Sequence, residues 1–306
     1  MNDLALLVAA TLAAGTPLAI AGLGLLVNER AGVLNLGAEG IMLVAAVAGF
    51  AVTFHSGSDA LGLVAGALAG ALVAIPFGWL VIWLGTNQYA TGLAVSLFGG
   101  GFSAFVGMGY VGKKLLERPD HSIPFLSDLP FLGVAVFRQH PMVYLAIALT
   151  GAIAWFLYRT RAGLVLRSVG ESPDSAHALG YPVRKIRLAA VVAGAALCGL
   201  SGAYLSIVYT PLWVEGMTAG RGWIALALTV FATWRPARVL AGAYLFGGVT
   251  MLQLRLQAQG VQVPTEFMAM LPYVSTVVVL VLISRNTTWI RVNMPASLGK
   301  PFVPGS

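Results

Sequence analysis

Charged residues are scarce in this chain. Only 9% of its 306 residues are Asp, Glu, Lys or Arg, whereas 58% are hydrophobic. Soluble domains carry about 25% charged residues, so this composition excludes a soluble globular protein. It predicts an all-α, polytopic integral membrane protein that forms a single transmembrane domain, 1–306.

Residues for metal, redox or catalytic chemistry are also few. The single cysteine, Cys198, lies in an apolar run, which excludes an internal disulfide and predicts a small packing residue. The four histidines are scattered without a ligand spacing, so we expect no metal site. No P-loop sequence and no catalytic Ser/His/Asp or Cys/His pattern occurs, so we expect no enzyme activity and no cofactor in this chain.

The net charge of +7 would favour a nucleic-acid partner in a soluble protein. Here the basic residues cluster in loops beside hydrophobic runs, which is the ordinary bias of cytoplasmic loops in membrane proteins. We therefore expect contact with membrane lipid and no nucleic-acid partner.

Long hydrophobic runs, in contrast, are abundant. A transmembrane helix needs about 20 apolar residues, and candidate spans lie at 4–27, 38–54, 60–84, 88–106, 141–158, 188–210, 223–234, 239–252 and 270–284. The last three are short for a full crossing. The fold expectation is therefore about 8–10 transmembrane helices.

The loop at 159–187 sets the orientation. It carries six basic residues against two acidic ones, which predicts a cytoplasmic loop. Alternate crossings then make 107–140 an extracytoplasmic loop and 285–306 a cytoplasmic tail.

A short helix is predicted inside this loop, at 172–180. Ser172 can cap the first amides, Pro173 suits the first helical position and Gly180 ends the helix, while Asp174 favours the positive end. Such a compact helix is suited to transmit movement between a soluble partner and the spans.

Two glycine-rich breaks interrupt the apolar pattern, at 28–40 and at 215–222. Broken backbone at membrane depth is tolerated only against protein or a water-filled cavity, and an intramembrane acid such as Glu39 is a functional candidate. One break in each half predicts inverted internal repeats around a central path. The alternative is that Glu29 and Arg30 form a surface pair and that Glu39 is a helix N-terminal acid at the membrane interface.

Small residues recur at four-residue spacing in two spans. These are Gly62, Gly66 and Gly70 in the third span and Ala195, Gly199 and Ala203 in the sixth. The spacing favours close helix contacts, although the general abundance of glycine would also produce it.

Three stretches carry a family resemblance: GLGLLVNERAGVLNLGAEGIML (22–43), LRSVGESPDSAHALGYPVRKIRLAAVVAGAALCGLSGAYLS (166–206) and GRGWIALALTVFATWRPARVLAGAYLFGG (220–248). They resemble the permease subunits of bacterial ABC importers, in the superfamily that serves branched-chain amino acids, ribose and related sugars. The first and third are most similar to its simple-sugar and nucleoside branch. The Arg-Pro-Ala-Arg turn at 235–238 departs from the family by its extra charges.

The resemblance implies a membrane subunit of an ATP-driven importer in the bacterial inner membrane, forming half of the path for nucleosides or simple sugars. It implies three partners: a cytoplasmic ABC ATPase that binds ATP and Mg, a related but different second permease, and an extracytoplasmic solute-binding lipoprotein. The predicted ATPase-coupling residues are Gly170, Glu171, Ser172, Asp174, Ala176, Leu179 and Gly180. The predicted substrate-path residues are Asn35, Gly37, Glu39, Gly40 and Arg221.

Three points stay open at the level of sequence. The chain could instead be an ion-coupled secondary transporter, with Glu39 as its proton site, or a passive channel for a small polar solute. The basic residues Arg167, Arg184, Lys185 and Arg187 could bind either an acidic partner surface or anionic lipid headgroups. Trp79, Trp83 and Trp223 could stack on a base or serve as interface and packing residues.

Overall fold

The structure is a computed structural model that describes residues 2–115, 127, 129–260, 264, 267, 270–271, 273–275, 277–278, 281 and 293–303. Ten α-helices are bounded within these residues: α1 Asn2–Arg30, α2 Ala38–Ser56, α3 Asp59–Trp83, α4 Gln88–Gly107, α5 Pro141–Arg159, α6 Arg161–Glu171, α7 Pro173–Ala178, α8 Val183–Tyr204, α9 Arg221–Phe231 and α10 Pro236–Ala258. Two π-helical turns, Gly133–Phe137 and Leu205–Tyr209, precede α5 and extend α8. The all-α prediction is confirmed.

Seven of the described helices are long and apolar enough to cross a membrane: α1 to α5, α8 with its π-turn, and α10. The predicted span at 239–252 is longer than expected, because α10 has 23 residues. The span predicted at 223–234 is a short helix, since α9 has 11 residues and covers only about half of a bilayer core of about 30 Å. The span at 270–284 and much of the tail lie largely outside the described residues.

Helices α1 and α8 lie at the centre of the bundle. Helix α1 packs on α8, α9 and α10, while α8 also packs on α2 and α3. The predicted small-residue contact is confirmed, since a Cβ added at Gly70 would lie 2.8 Å from Gly199 Cα, and one added at Gly66 would lie 3.2 Å from Gly199 O. The missing side chains allow the two backbones to touch where lipid gives no hydrophobic drive for association.

Replacement of Gly70 by Leu is therefore expected to separate α3 from α8. Overpacking costs about 1–3 kcal/mol in a close-packed interior, so the variant should unfold at lower temperature in detergent. Gly151→Leu is the matched control, because a side chain at Gly151 meets open space on α5. Equal melting temperatures of the two variants would contradict this packing.

One end of the bundle is strongly basic, and we call it the basic end. It contains the C-terminal end of α1, the segment from the end of α5 to the start of α8, and the turn between α9 and α10. Its described basic residues are Arg30, Arg159, Arg161, Arg167, Arg184, Lys185, Arg187, Arg235, Arg238 and Lys300, against the acids Glu29, Glu171 and Asp174. This imbalance favours the cytoplasmic side for the basic end.

Candidate functional site

The first glycine-rich break turns back into the bundle, and α2 begins beside the middle of α4. The Ser96 hydroxyl donates a hydrogen bond of 2.8 Å to Leu36 O. A Cβ added at Gly40 would lie 2.6 Å from Ser96 Cα. Since α4 spans Gln88–Gly107, the start of α2 lies at mid-depth rather than at a membrane surface.

The extended backbone of this break is satisfied by protein. Gln88 Oε1 accepts a hydrogen bond of 2.7 Å from Leu34 N, and Asn35 Oδ1 accepts one of 2.9 Å from Gly37 N. The Asn35 side chain is fully buried, and its Nδ2 has no acceptor among the described residues. In this conformation Asn35, Gly37 and Gly40 lie within the packed interior.

Glu39 joins the two breaks. Its Oε1 accepts hydrogen bonds from Thr218 Oγ1 (2.5 Å) and Gly220 N (2.8 Å), and its Oε2 accepts one from Gly222 N (2.6 Å). These amides belong to the N-terminus of α9, whose own cap residue, Gly220, has no side chain. A carboxylate is stabilised at this positive helix end. Glu39 thus caps α9 from another helix.

Arg221 lies next to this junction and lines a cavity. Its guanidinium donates to Met217 O and Thr218 O at 3.3 Å and lies 5.7 Å from the centre of the Tyr209 ring. The cavity has a volume of about 230 Å³. It is lined by Ala14, Leu18, Tyr209, Ala219, Arg221, Ile224, Phe246, Gly247, Thr250, Gln253 and Tyr273. The cavity therefore offers both aromatic faces and hydrogen-bonding groups.

Glu29 and Arg30 hold the turn between α9 and α10. Glu29 is fully buried and accepts hydrogen bonds from Thr229 Oγ1 and Trp234 Nε1, while Arg30 Nη2 donates 2.8 Å to Trp234 O. Thr233 and Trp234 have left-handed φ angles of 50° and 53°, which are unfavourable for such residues. The surface-pair interpretation of Glu29 and Arg30 is wrong, because both are buried and each binds this turn.

Helix α7 has the predicted caps. Ser172 Oγ accepts from Ser175 N, and Gly180 ends the helix with a φ of 87°. Of the predicted coupling residues, Gly170 and Ala176 are buried, whereas Glu171, Asp174, Leu179 and Gly180 are exposed. The Leu179 side chain is 77% exposed. Helix α7 therefore has one side fixed to protein and an uncovered apolar residue at its end.

The tail segment, 293–303, packs beneath α7. Phe302 is buried against Val169, Ala176 and Val183. The Ser297 hydroxyl donates 2.6 Å to Gly170 O and accepts from Arg187 Nη2 at 3.0 Å. The tail segment thus connects α6, α7 and α8.

The expectation that Arg187 binds an outside partner or lipid is wrong. Its side chain is only 2% exposed, and it also donates to Lys300 O at 3.2 Å. Arg187 anchors the tail segment instead.

Replacing Phe302 by Ala should loosen α7. Truncation of a buried Phe costs about 3–5 kcal/mol when the site cannot collapse, so hydrogen exchange of the amides at 173–180 should become faster. Val303→Ala is the control in the same segment, because Val303 is 55% exposed. Unchanged exchange in Phe302→Ala would show that the tail does not hold α7.

The three tryptophans considered for base stacking lie elsewhere. Trp79 and Trp223 are 52% and 37% exposed, and Trp83 packs partly buried against the core. None of them is among the described residues that line the cavity beside Arg221.

Comparison with known proteins adds independent findings. Residues 7–283 match the family described as branched-chain amino acid transport system / permease component. The chain is 42% identical to a putative glucose ABC transporter permease of Haloferax volcanii, covering 97% of each chain. It is 31% identical to a nucleoside ABC transporter permease of Lactococcus lactis, over 92% of this chain and 93% of the relative. It is 32% identical to a guanosine ABC transporter permease of Bacillus subtilis, over 99% of this chain and 98% of the relative. No solved structure matches the chain significantly.

Proposed function

We infer the function of this chain from the family to which it belongs, the permease components of branched-chain amino acid transport systems: it forms half of the translocation path of an ATP-driven importer. Permeases of this family work with an ATPase and a solute-binding protein. The second half of the path would come from a related but different permease.

The proposed solute carries a sugar ring, either in a nucleoside or as a free monosaccharide. The three relatives are named for glucose, nucleosides and guanosine, and a sugar ring is the group that these solutes share. The cavity beside Arg221 supports this choice. Arg221, Thr250 and Gln253 offer hydrogen bonds to hydroxyls, and Tyr209 and Phe246 offer ring faces.

The observation that carries the proposal is the geometry of α7. Its buried side is held by α6, α8 and the tail segment, so a displacement of α7 must move these elements as well. Its Leu179 is uncovered and suits an apolar pocket of a partner. The partner ATPase, which binds ATP and Mg, would dock here. Closure of the ATPase would then move α7 and, through α7, the bundle.

The path itself would open at the junction of the two breaks. Helices α2 and α9 both begin at mid-depth and are joined through Glu39. Interrupted helices at this depth are typical of solute paths in transporters. A movement of α8, which packs on α2, would change the space next to this junction.

Reconstitution of the complete importer tests the proposal. Proteoliposomes with both permeases, the ATPase and the binding protein should accumulate labelled guanosine or glucose only when ATP is supplied to the ATPase. Uptake by this chain alone that follows an ion gradient would assign a secondary transporter. Passive flux through the chain alone would assign a channel. Either result would overturn the proposed function.

A further inference from the structure

Arg30 is a buried cation whose described partners are all neutral. Its side chain is 9% exposed, and its guanidinium donates to Trp234 O, Asn293 O and the Tyr158 hydroxyl at 2.8, 3.0 and 3.3 Å. Its neighbour Glu29 is occupied by Thr229 and Trp234. A buried charge is costly unless an opposite charge accompanies it.

Other charges nearby make the imbalance larger. Arg167 and Arg235 both lie close enough to repel the Arg30 charge. Glu171 is exposed, and no ion pair joins it to Arg30 or Arg167 within the described part of the chain.

The tail side of Arg30 offers no acidic side chain. The sequence contains no Asp or Glu after Glu266, so the tail segment and the residues just before it carry no acidic side chain. Among the described residues, Arg30 therefore has no acid as an ion-pair partner.

A polar cavity of about 240 Å³ adjoins the two arginines. It is lined by Arg30, Leu164, Arg167, Ser168, Glu171 and Pro295. Arg30 and Arg167 each keep a buried Nε–H that has no acceptor among the described residues. An anion with several oxygens in this cavity would accept charge-assisted hydrogen bonds from the guanidinium groups of Arg30 and Arg167, and arginine forks suit phosphate in particular.

The surroundings of the cavity indicate where this phosphate comes from. Tyr158 contacts both arginines, since its hydroxyl accepts from Arg30 and its ring lies 5.2 Å from the Arg167 guanidinium carbon. Trp155, one helical turn earlier, and Leu164 are 64% and 56% exposed. Exposed aromatic residues at the end of a membrane span mark the level of the lipid headgroups.

We propose that this cavity binds the phosphate of an anionic phospholipid through Arg30 and Arg167. The acyl chains would lie against the exposed Trp155 and Leu164. The lipid would supply the counter-charge for Arg30 and hold α6 at the membrane surface. Binding of this lipid does not depend on the proposed transport function.

Lipid retention in the purified protein tests the proposal. The protein is exchanged into mixed micelles with phosphatidylglycerol or phosphatidylcholine and analysed by native mass spectrometry. We expect one phosphatidylglycerol to be retained in preference to phosphatidylcholine, and about fivefold to tenfold weaker retention in Arg167→Gln. Arg161→Gln is the matched control, because it removes the same charge from the same helix without lining the cavity.

Three outcomes would overturn the assignment. Equal losses in Arg167→Gln and Arg161→Gln would show diffuse attraction rather than a site. Binding of inorganic phosphate with no retained lipid would identify a soluble anion as the ligand. Unchanged lipid retention together with loss of ATPase co-purification in Arg167→Gln would assign the cavity to an acidic protein partner. Size-exclusion profiles in detergent would serve as the check that the compared variants are folded.

Discussion

Replacing Leu179 by Arg should reduce ATP-driven uptake by at least about 30-fold, the effect of losing one hot-spot contact of about 2 kcal/mol. Leu179 is 77% exposed at the end of α7, and its side chain is not needed for the bundle itself. In the complex we expect it to enter an apolar pocket of the ATPase, where a guanidinium would be buried without a partner. Transport and stimulated ATP hydrolysis should fall together.

The variant must still insert and fold for this result to count. Leu84→Arg is the matched control, because Leu84 follows α3 and is also an exposed leucine, at 57%. Glu171→Arg should weaken coupling in the same direction, since Glu171 is exposed beside α7. Uptake at the original rate in Leu179→Arg would refute the proposed role of α7.

Replacing Glu39 by Ala should have the largest effect on the mid-depth junction. The change removes three accepted hydrogen bonds and leaves the amides of Gly220 and Gly222 without their acceptor. Each unsatisfied buried group costs about 1–3 kcal/mol. We expect a lower melting temperature in detergent and loss of uptake.

Two further variants separate the cap from a proton site. Glu39→Gln keeps one acceptor oxygen and should retain part of the stability, whereas a proton site would lose all ion-coupled uptake with normal stability. Glu215→Ala is the control, because Glu215 is an exposed acid in the second break. If Glu39→Ala melted like Glu215→Ala, the capping role would be refuted.

The sequence predicts those parts of the fold that depend on local chemistry. Ser172, Pro173 and Gly180 define α7 because capping acts within a few residues. Apolar runs of sufficient length locate α2 to α5 for the same reason. Helix α6 is missed because its many polar and basic residues give no span pattern, although buried Leu166 and Val169 show that it has an inner face.

Contacts between distant segments cannot be obtained from such patterns. The bond from Gly222 to Glu39 joins residues 183 positions apart, and the one from Trp234 to Glu29 joins residues 205 apart. The sequence correctly singles out Glu39 as an unusual acid, but nothing in its neighbourhood indicates that its partner is α9. The docking of Phe302 is missed for a similar reason, because the tail has no hydrophobic period.

The central claim is that force reaches this subunit through α7 on the cytosolic side. Cysteine accessibility tests it most directly, because the native Cys198 is fully buried and can be replaced by Ala as a background. Ser175 is exposed on α7, and Ser56 is exposed at the opposite end of the bundle. A membrane-impermeant maleimide applied to intact cells should label Ser56→Cys at once, and should label Ser175→Cys only after the membrane is opened. Labelling of Ser175→Cys in intact cells would contradict the account.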